Sequence, residues 1–404
     1  MLDLYAGISP KGDLQLLKLL GSKLGRRSML HVNSTRAGGG VAEILQRMMP
    51  ILDDLGIPAR WEVIEGDAKF FDVTKKIHNS LQGQPENISE EMWDYYFEVN
   101  RGNAGRLGPG ADIVFIHDPQ PAPLIQFKKG GRWIWRCHID LSNPARETAS
   151  HLRRYWEKFD AAVFSVAKFA LTMSLDEFII PPSIDPISDK NRELTAAEVD
   201  ETLNKFRIPR DRPIILQVSR FDRFKDPVGV VKAYRMVKKY NDCILVLAGS
   251  PATDDPEGET VLNEVREFAG NDADIHLLLL PPFSDRDINA LQRGATVILQ
   301  KSLKEGFGLT VAEAMWKEKP VIGGAVGGIQ LQIIHGITGF LGYTYEGAAF
   351  RIRQLLNNPE MAERMGKTAK EHVRNNFLIT RQIRDYLAIC YSLENRNRQL
   401  VELS

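Results

Sequence analysis

Short, nearly uninterrupted apolar runs alternate with amphipathic stretches along most of the chain. The first run is Met29-Leu30-His31-Val32-Asn33-Ser34, a short strand by its length. A glycine turn, Thr35-Arg36-Ala37-Gly38-Gly39-Gly40, follows it. Val41, Ile44, Leu45, Met48, Leu52 and Leu55 then recur at helical spacing. Further strands are expected at 61–64, 112–117, 132–138 and 161–166, with helical stretches between most of them. Trp133 and Trp135 alternate with apolar neighbours and read as core. Residues 84–110 are polar and Gly-rich at both ends, with a helix expected around 90–99. A second run opens with Pro213-Ile214-Ile215-Leu216-Gln217-Val218-Ser219. Strands at 243–249, 275–280, 296–300 and 320–323 continue it, and helices at 227–239, 258–269, 285–293 and 309–317 fill the gaps. The tail, about 359–395, is strongly helical.

Strands that alternate with helices imply a parallel sheet covered on both faces. Two such runs imply an α/β protein of two Rossmann-like, doubly wound domains, and 404 residues suit two cores. The proline-rich stretch Ile180-Pro181-Pro182-Ser183-Ile184-Asp185-Pro186 marks the join. The expected division is 1–185 for the first domain and 186–375 for the second, with a C-terminal helix in 376–404 crossing back to the first. Ligands of open α/β sheets bind beyond the carboxyl ends of strands. With two such domains, a deep interdomain cleft is the expected site.

Charge excludes some partners. Lys+Arg and Asp+Glu both number 52, and residues 1–190 hold 23 basic and 24 acidic side chains. Neither a nucleic-acid footprint nor a membrane-docking half is present in that balance. The apolar run His276-Leu277-Leu278-Leu279-Leu280 is cut by Pro281-Pro282, far short of a membrane span. The N-terminus shows no signal-peptide pattern. Three scattered cysteines, Cys137, Cys243 and Cys390, fit a reducing cytoplasm and have no metal-ligand spacing. A cytoplasmic location is expected.

The densest chemistry lies in Lys304-Glu305-Gly306-Phe307-Gly308-Leu309-Thr310-Val311-Ala312-Glu313-Ala314. It reads as a strand–turn–helix junction with one carboxylate on the turn and another inside the helix. The helix start offers unpaired N–H groups and a favourable dipole for a phosphate, and Gly306 and Gly308 let backbone approach it. Glu305 would face a polyhydroxylated group and Glu313 a ribose, which together suggest a sugar nucleotide. Arg220 and Lys225 leave the end of strand 213–219 and could clamp a diphosphate; Arg223 reads as solvent-exposed. Gly39 and Gly40 are either a tight turn or a close backbone approach to an anion or sugar. His138 ends a strand, and is either a structural histidine or a partner for a sugar hydroxyl. Asp118 either orients acceptor hydroxyls or caps the following short helix, with the cap favoured. Val326-Gly327-Gly328-Ile329 is either a donor-facing loop or a plain turn.

Ser219-Arg220 with Lys225, the element from Glu305 to Glu313, Gly327-Gly328 and Gly336-Ile337-Thr338-Gly339-Phe340 together resemble retaining glycosyltransferase family 4. Within it the likeness is closest to the trehalose glycosyltransferring synthases. It is carried by His31-Val32-Asn33-Ser34-Thr35, Gly39-Gly40-Val41-Ala42-Glu43-Ile44-Leu45, His117-Asp118-Pro119-Gln120-Pro121 and Arg136-Cys137-His138-Ile139-Asp140. The resemblance implies the two-lobed GT-B fold, lobe closure over substrate, and transfer of glucose from an NDP-glucose to free glucose, giving α,α-trehalose. It implies that Arg220 and Lys225 neutralise the diphosphate, aided by backbone at Gly306, Phe307, Gly308, Leu309 and Thr310. It assigns Glu313 to the ribose, Glu305 to the 3- and 4-hydroxyls of the donor glucose, and His138 to its 6-hydroxyl region. Gly39 and Gly40 would approach the diphosphate and sugar, and Asp118 and Asn33 are the acceptor-side candidates. No metal site is implied, although Mg²⁺ could accompany the nucleotide; Asp254-Asp255 is an adjacent pair, not an Asp-x-Asp site. A homodimer is an open expectation.

Three departures from the family stand out. Residues 341–350 are less acidic than the family usually shows after its Thr-Gly-Phe. Gly323-Gly324 replaces bulkier or charged residues, and Gln330-Leu331-Gln332 replaces a Pro-Glu. Three other readings compete: a retaining trehalose phosphorylase, a family 4 transferase with another acceptor, and a non-catalytic sugar-nucleotide binder. The base of the nucleotide is left open.

Overall fold

The computed structural model describes residues 1–36, 39–108, 110–249 and 256–396. Gly38 and the Asp254-Asp255 pair lie outside them. The chain divides into two compact units: one of residues 1–183 and 379–404, the other of residues 184–378.

Unit 1 holds a wholly parallel sheet of β1 (Met29–Asn33), β2 (Ala59–Val63), β3 (Ile113–His117), β4 (Arg132–Arg136), β5 (Ala161–Phe164) and β6 (Asp176–Ile179), in the order β2-β1-β3-β4-β5-β6. The strand order reverses at β1 and β3, so the loops after those strands flank the switch point. The pleat separates two kinds of face. Leu30, Val32, Val114, Ile116, Trp133, Trp135, Ala162 and Phe164 form one apolar core. Met29, His31, Phe115, His117 and Arg136 alternate with them and are also buried. The last helix, Ile379–Glu394, lies in this unit and packs on helix Lys11–Leu24. Its Tyr386 stacks on Phe115 at 5.0 Å and accepts a 2.8 Å hydrogen bond from Nε of Arg136.

Unit 2 holds β7 (Ile214–Val218), β8 (Ile244–Gly249), β9 (Ile275–Leu279), β10 (Val297–Gln300), β11 (Val321–Gly324) and β12 (Gly339–Gly342), all parallel, in the order β12-β11-β10-β7-β8-β9. Here the switch falls between β7 and β10. Strands three apart in sequence are therefore neighbours, and the loops after them meet. The chain enters this unit at Ile184, whose N–H donates to the Phe377 carbonyl at 2.9 Å.

Several expectations are corrected in detail. β6 and β12 are additional strands at the sheet edges. β6 is polar at its start, Asp-Glu-Phe-Ile, and incompletely buried, as edges are. β12 is bounded by glycines, and a Cβ on Gly339 would sit 2.6 Å from the Val321 carbonyl oxygen. The helix expected near 90–99 runs from Glu90 to Leu107. Asn103 extends it by exchanging 2.7 Å hydrogen bonds with the backbone of Glu65, a tertiary gain that outweighs weak helix propensity. The helical tail breaks at Phe377-Leu378 into Pro359–Asn376 and Ile379–Glu394.

Candidate functional site

In unit 2 the expected residues gather at the switch point. Gln217, near the end of β7, is the tie between its two loops. Its amide nitrogen donates to the Lys225 carbonyl at 3.0 Å, and its oxygen accepts from the Lys301 N–H, just after β10, at 3.1 Å. Asp222 caps the turn that follows, accepting from the Lys225 N–H at 3.2 Å. Lys225 Nζ then reaches Glu305 Oε2 at 2.6 Å, and Ser302 Oγ donates to the same oxygen at 3.1 Å. Lys301 pairs with Asp226 in the same way. Arg220 remains 63% exposed, with one amino group 3.2 Å from Asp222. Arg223 is also exposed and pairs with Glu264.

The turn itself is fixed by close backbone contact. Gly308 sits at φ +81° as the cap of helix Leu309–Trp316, a conformation that favours glycine. The first intrahelical bond runs from the Val311 N–H to the Gly308 carbonyl, so the Leu309 and Thr310 amides belong to the helix's open first turn. Gly327 and Gly328 pack on this turn: a Cβ on Gly327 would collide with the Glu305 carbonyl, and one on Gly328 would lie 2.6 Å from Phe307 Cα. The Gly328 N–H donates to the Gly306 carbonyl at 2.9 Å. The loop 326–329 thus supports the acidic turn. Gln332, one of the departures from the family, is fully buried and donates to the Phe307 carbonyl at 2.6 Å. The Gly323-Gly324 pair is also explained by packing, since added Cβ atoms would strike Ile329 and the Ser302 carbonyl.

Glu313 lies one turn into the helix and is only 2% exposed. Lys190 Nζ is 4.0 Å from its Oε1. Lys317, on the next turn, donates to the Glu313 carbonyl at 3.0 Å and to Asn191 Oδ1 at 2.9 Å. Burial pushes the Lys317 ammonium down to about 7, opposed by the nearby Glu313 carboxylate. Lys190, Asn191 and Lys317 were not singled out in the sequence. The i,i+4 spacing of Glu313 and Lys317 was the legible signal for one of them.

In unit 1 the strand ends carry a different chemistry. His138 follows β4, and its backbone N–H donates to Asp118 Oδ1 at 2.7 Å. Asp118 holds φ +64° and receives no capping role: the short 3-10 helix Ala122–Phe127 has no side-chain cap. The favoured cap reading is therefore replaced by a brace on His138. Burial raises the Asp118 carboxyl to about 6, against the His138 N–H and the Arg136 charge. Asn33 is buried; its oxygen accepts from the Trp61 indole and its nitrogen donates to the Thr35 carbonyl, both at 2.8 Å. Gly39 caps helix Gly40–Asp54 at φ +85°, which accounts for glycine there. Unit 1 also joins His138 into a row of imidazoles. His138 Nε2 lies 3.0 Å from His117 Nδ1, and His117 Nε2 lies 3.0 Å from His31 Nδ1. Their alternation with Leu30, Val32 and Ile116 was visible as a polar stripe on strands too buried to face water.

Among the described residues, no group of three or more His, Cys, Asp or Glu side chains could hold a metal ion. No described helix is long and apolar enough to cross a membrane.

The chain is similar to known proteins over most of its length. The family model for the trehalose synthase N-terminal domain matches residues 31–171, and that for group 1 glycosyl transferases matches residues 198–372. A trehalose synthase of Thermococcus litoralis is 47% identical over 398 residues, covering 97% of each chain. One from Rubrobacter xylanophilus is 44% identical over 395 residues, covering 94% of this chain and 92% of its own. The solved structure of a UDP-forming trehalose-phosphate synthase from Burkholderia xenovorans shares the fold. Its TM-score is 0.71 at 16% identity, over 92% of this chain and 100% of that one. The chain belongs to the trehalose synthase family of glycosyltransferases, two-domain α/β proteins of the GT-B fold.

Proposed function

We propose that the protein transfers glucose from an NDP-glucose to free glucose, releasing NDP and forming α,α-trehalose with retention at the anomeric carbon. The observation that carries this reading is the junction after β10. It combines the helix start at Leu309, the Lys225–Glu305 pair and the buried Glu313 at the switch point of unit 2. The diphosphate is assigned to the Leu309 and Thr310 amides, Lys225 and Arg220. Glu313 takes the ribose hydroxyls and Glu305 those of the donor glucose. In unit 1, His138 contacts the donor sugar and Gly39-Gly40 brings backbone to it. Asp118 and Asn33, proposed on the acceptor side, act through the loops they hold in shape.

Expelling NDP leaves an oxocarbenium-like sugar. Oriented cations and helix amides that stabilise the departing diphosphate lower that barrier. Retention is assigned to front-face attack: the acceptor hydroxyl enters on the side from which NDP departs, and a phosphate oxygen takes its proton. A trapped glycosyl-enzyme adduct would contradict this. Because side chains and helix carry the charge, turnover is expected to persist in EDTA, with Mg²⁺ an accompaniment of the nucleotide only. Calorimetric titration of NDP into E313A tests the nucleotide assignment. Loss of affinity supports it, and unchanged affinity refutes it.

A further inference from the structure

The imidazole row in unit 1 ends on a thioether. His31 Nε2 lies 3.2 Å from Met29 Sδ. The His31 and His117 ring planes meet at 30°, and those of His117 and His138 at 15°, so the ring nitrogens address each other nearly in plane. His31 and His117 are buried, and His31 stacks face to face on Phe115 at 4.7 Å. Burial holds all three imidazoles neutral, taking His31 down to about 3. The nearby Arg136 guanidinium adds to this at His117 and His138. Among the described residues, the charged groups that face the row are Arg136 and the Asp118 carboxyl, which takes the His138 main-chain N–H.

A neutral imidazole carries one N–H and one lone pair, whereas a thioether can only accept. The proton of His31 therefore sits on Nε2, aimed at sulfur. Its Nδ1 accepts from Nε2–H of His117, whose Nδ1 in turn accepts from Nε2–H of His138. The reverse order would set the His31 lone pair against the sulfur lone pairs in a buried site, leaving an acceptor unsatisfied. Among the described residues, no hydrogen bond engages Nδ1 of His138.

We propose that Met29, His31 and His117 are positioning residues that fix the tautomer of His138, so that its Nδ1 presents a lone pair to a donating hydroxyl of the sugar. This rests on the reading that His138 meets the donor glucose. It adds that the contact is one-directional, and that its direction is set at the far, buried end of the row.

The test is nitrogen NMR of the full-length protein labelled with ¹⁵N-histidine, beside steady-state kinetics. In the wild type, all three rings should carry the proton on Nε2 and none on Nδ1. Met29→Leu removes the sulfur with little change of volume. His138 should then show both tautomers, and kcat should fall about three- to tenfold while NDP affinity is unchanged. A proton on Nδ1 of His138 in the wild type overturns the proposal without need of any variant. So does M29L with unchanged tautomer and kcat. Undiminished turnover in H138A would overturn the sugar contact itself, a result separate from the tautomer.

Discussion

Glu313 shows what a single carboxylate demands when it is buried. It sits beside Lys190 and in front of Lys317, so its charge is offset before any substrate binds. Replacing it with Ala should weaken NDP binding about ten- to a hundredfold, the loss of charge-assisted hydrogen bonds worth about 1.5–3 kcal/mol. His138 is expected to behave differently. H138A should cut kcat while NDP affinity changes little, because the nucleotide is assigned to unit 2. Equal loss of both would mark a structural histidine. Arg136 is a residue whose worth lies in completeness. Its five N–H groups reach Tyr386, Cys137, Val163, Ser165 and Ile180, so the guanidinium is buried with every donor satisfied.

At the scale of elements, the acidic turn depends on the glycines of the 326–329 loop that pack against it. Gly327→Ala should cost on the order of 1–3 kcal/mol of unit 2 stability by overpacking against the Glu305 carbonyl, and φ +48° adds strain. Urea unfolding together with NDP titration checks it; unchanged stability and affinity would mean that the loop does not brace the turn. The central strands were legible because burial on both faces forces apolar runs, as at 113–117 and 214–218. Edge strands β6 and β12 were not, since a polar start and bounding glycines obscure the pattern. The site divided the same way. Glu305, Glu313, Arg220 and Lys225 could be read from spacing, because the chain itself carries them to strand ends. The support of Gln217 and Gln332, and the row from His31 to His138, arise from strands and helices distant in sequence. Only the sheet order brings them together.

For the whole molecule, the imidazole row sets a pH signature. Each is neutral when folded and titrates near 6.5 when unfolded, so the unfolded chain binds three more protons there once acidified below about 6.5. Asp118 acts oppositely: raised to about 6, it is protonated in the fold and ionised in the unfolded chain between about 4 and 6. Two net protons then favour unfolding in that window, and these four groups should make stability rise with pH by about 3 kcal/mol per unit. Denaturant titrations at pH 4.5 and 5.5 measure it, and H31F should lower the slope by one proton.

The account as a whole turns on the reaction. Purified protein would be incubated with glucose and, in turn, UDP-, ADP- and GDP-glucose, without added metal, and assayed for trehalose and NDP. The account predicts α,α-trehalose and NDP in equal amounts with at least one donor. No trehalose from any donor, with glucose 1-phosphate formed instead from trehalose and inorganic phosphate, would contradict it and make the protein a phosphorylase.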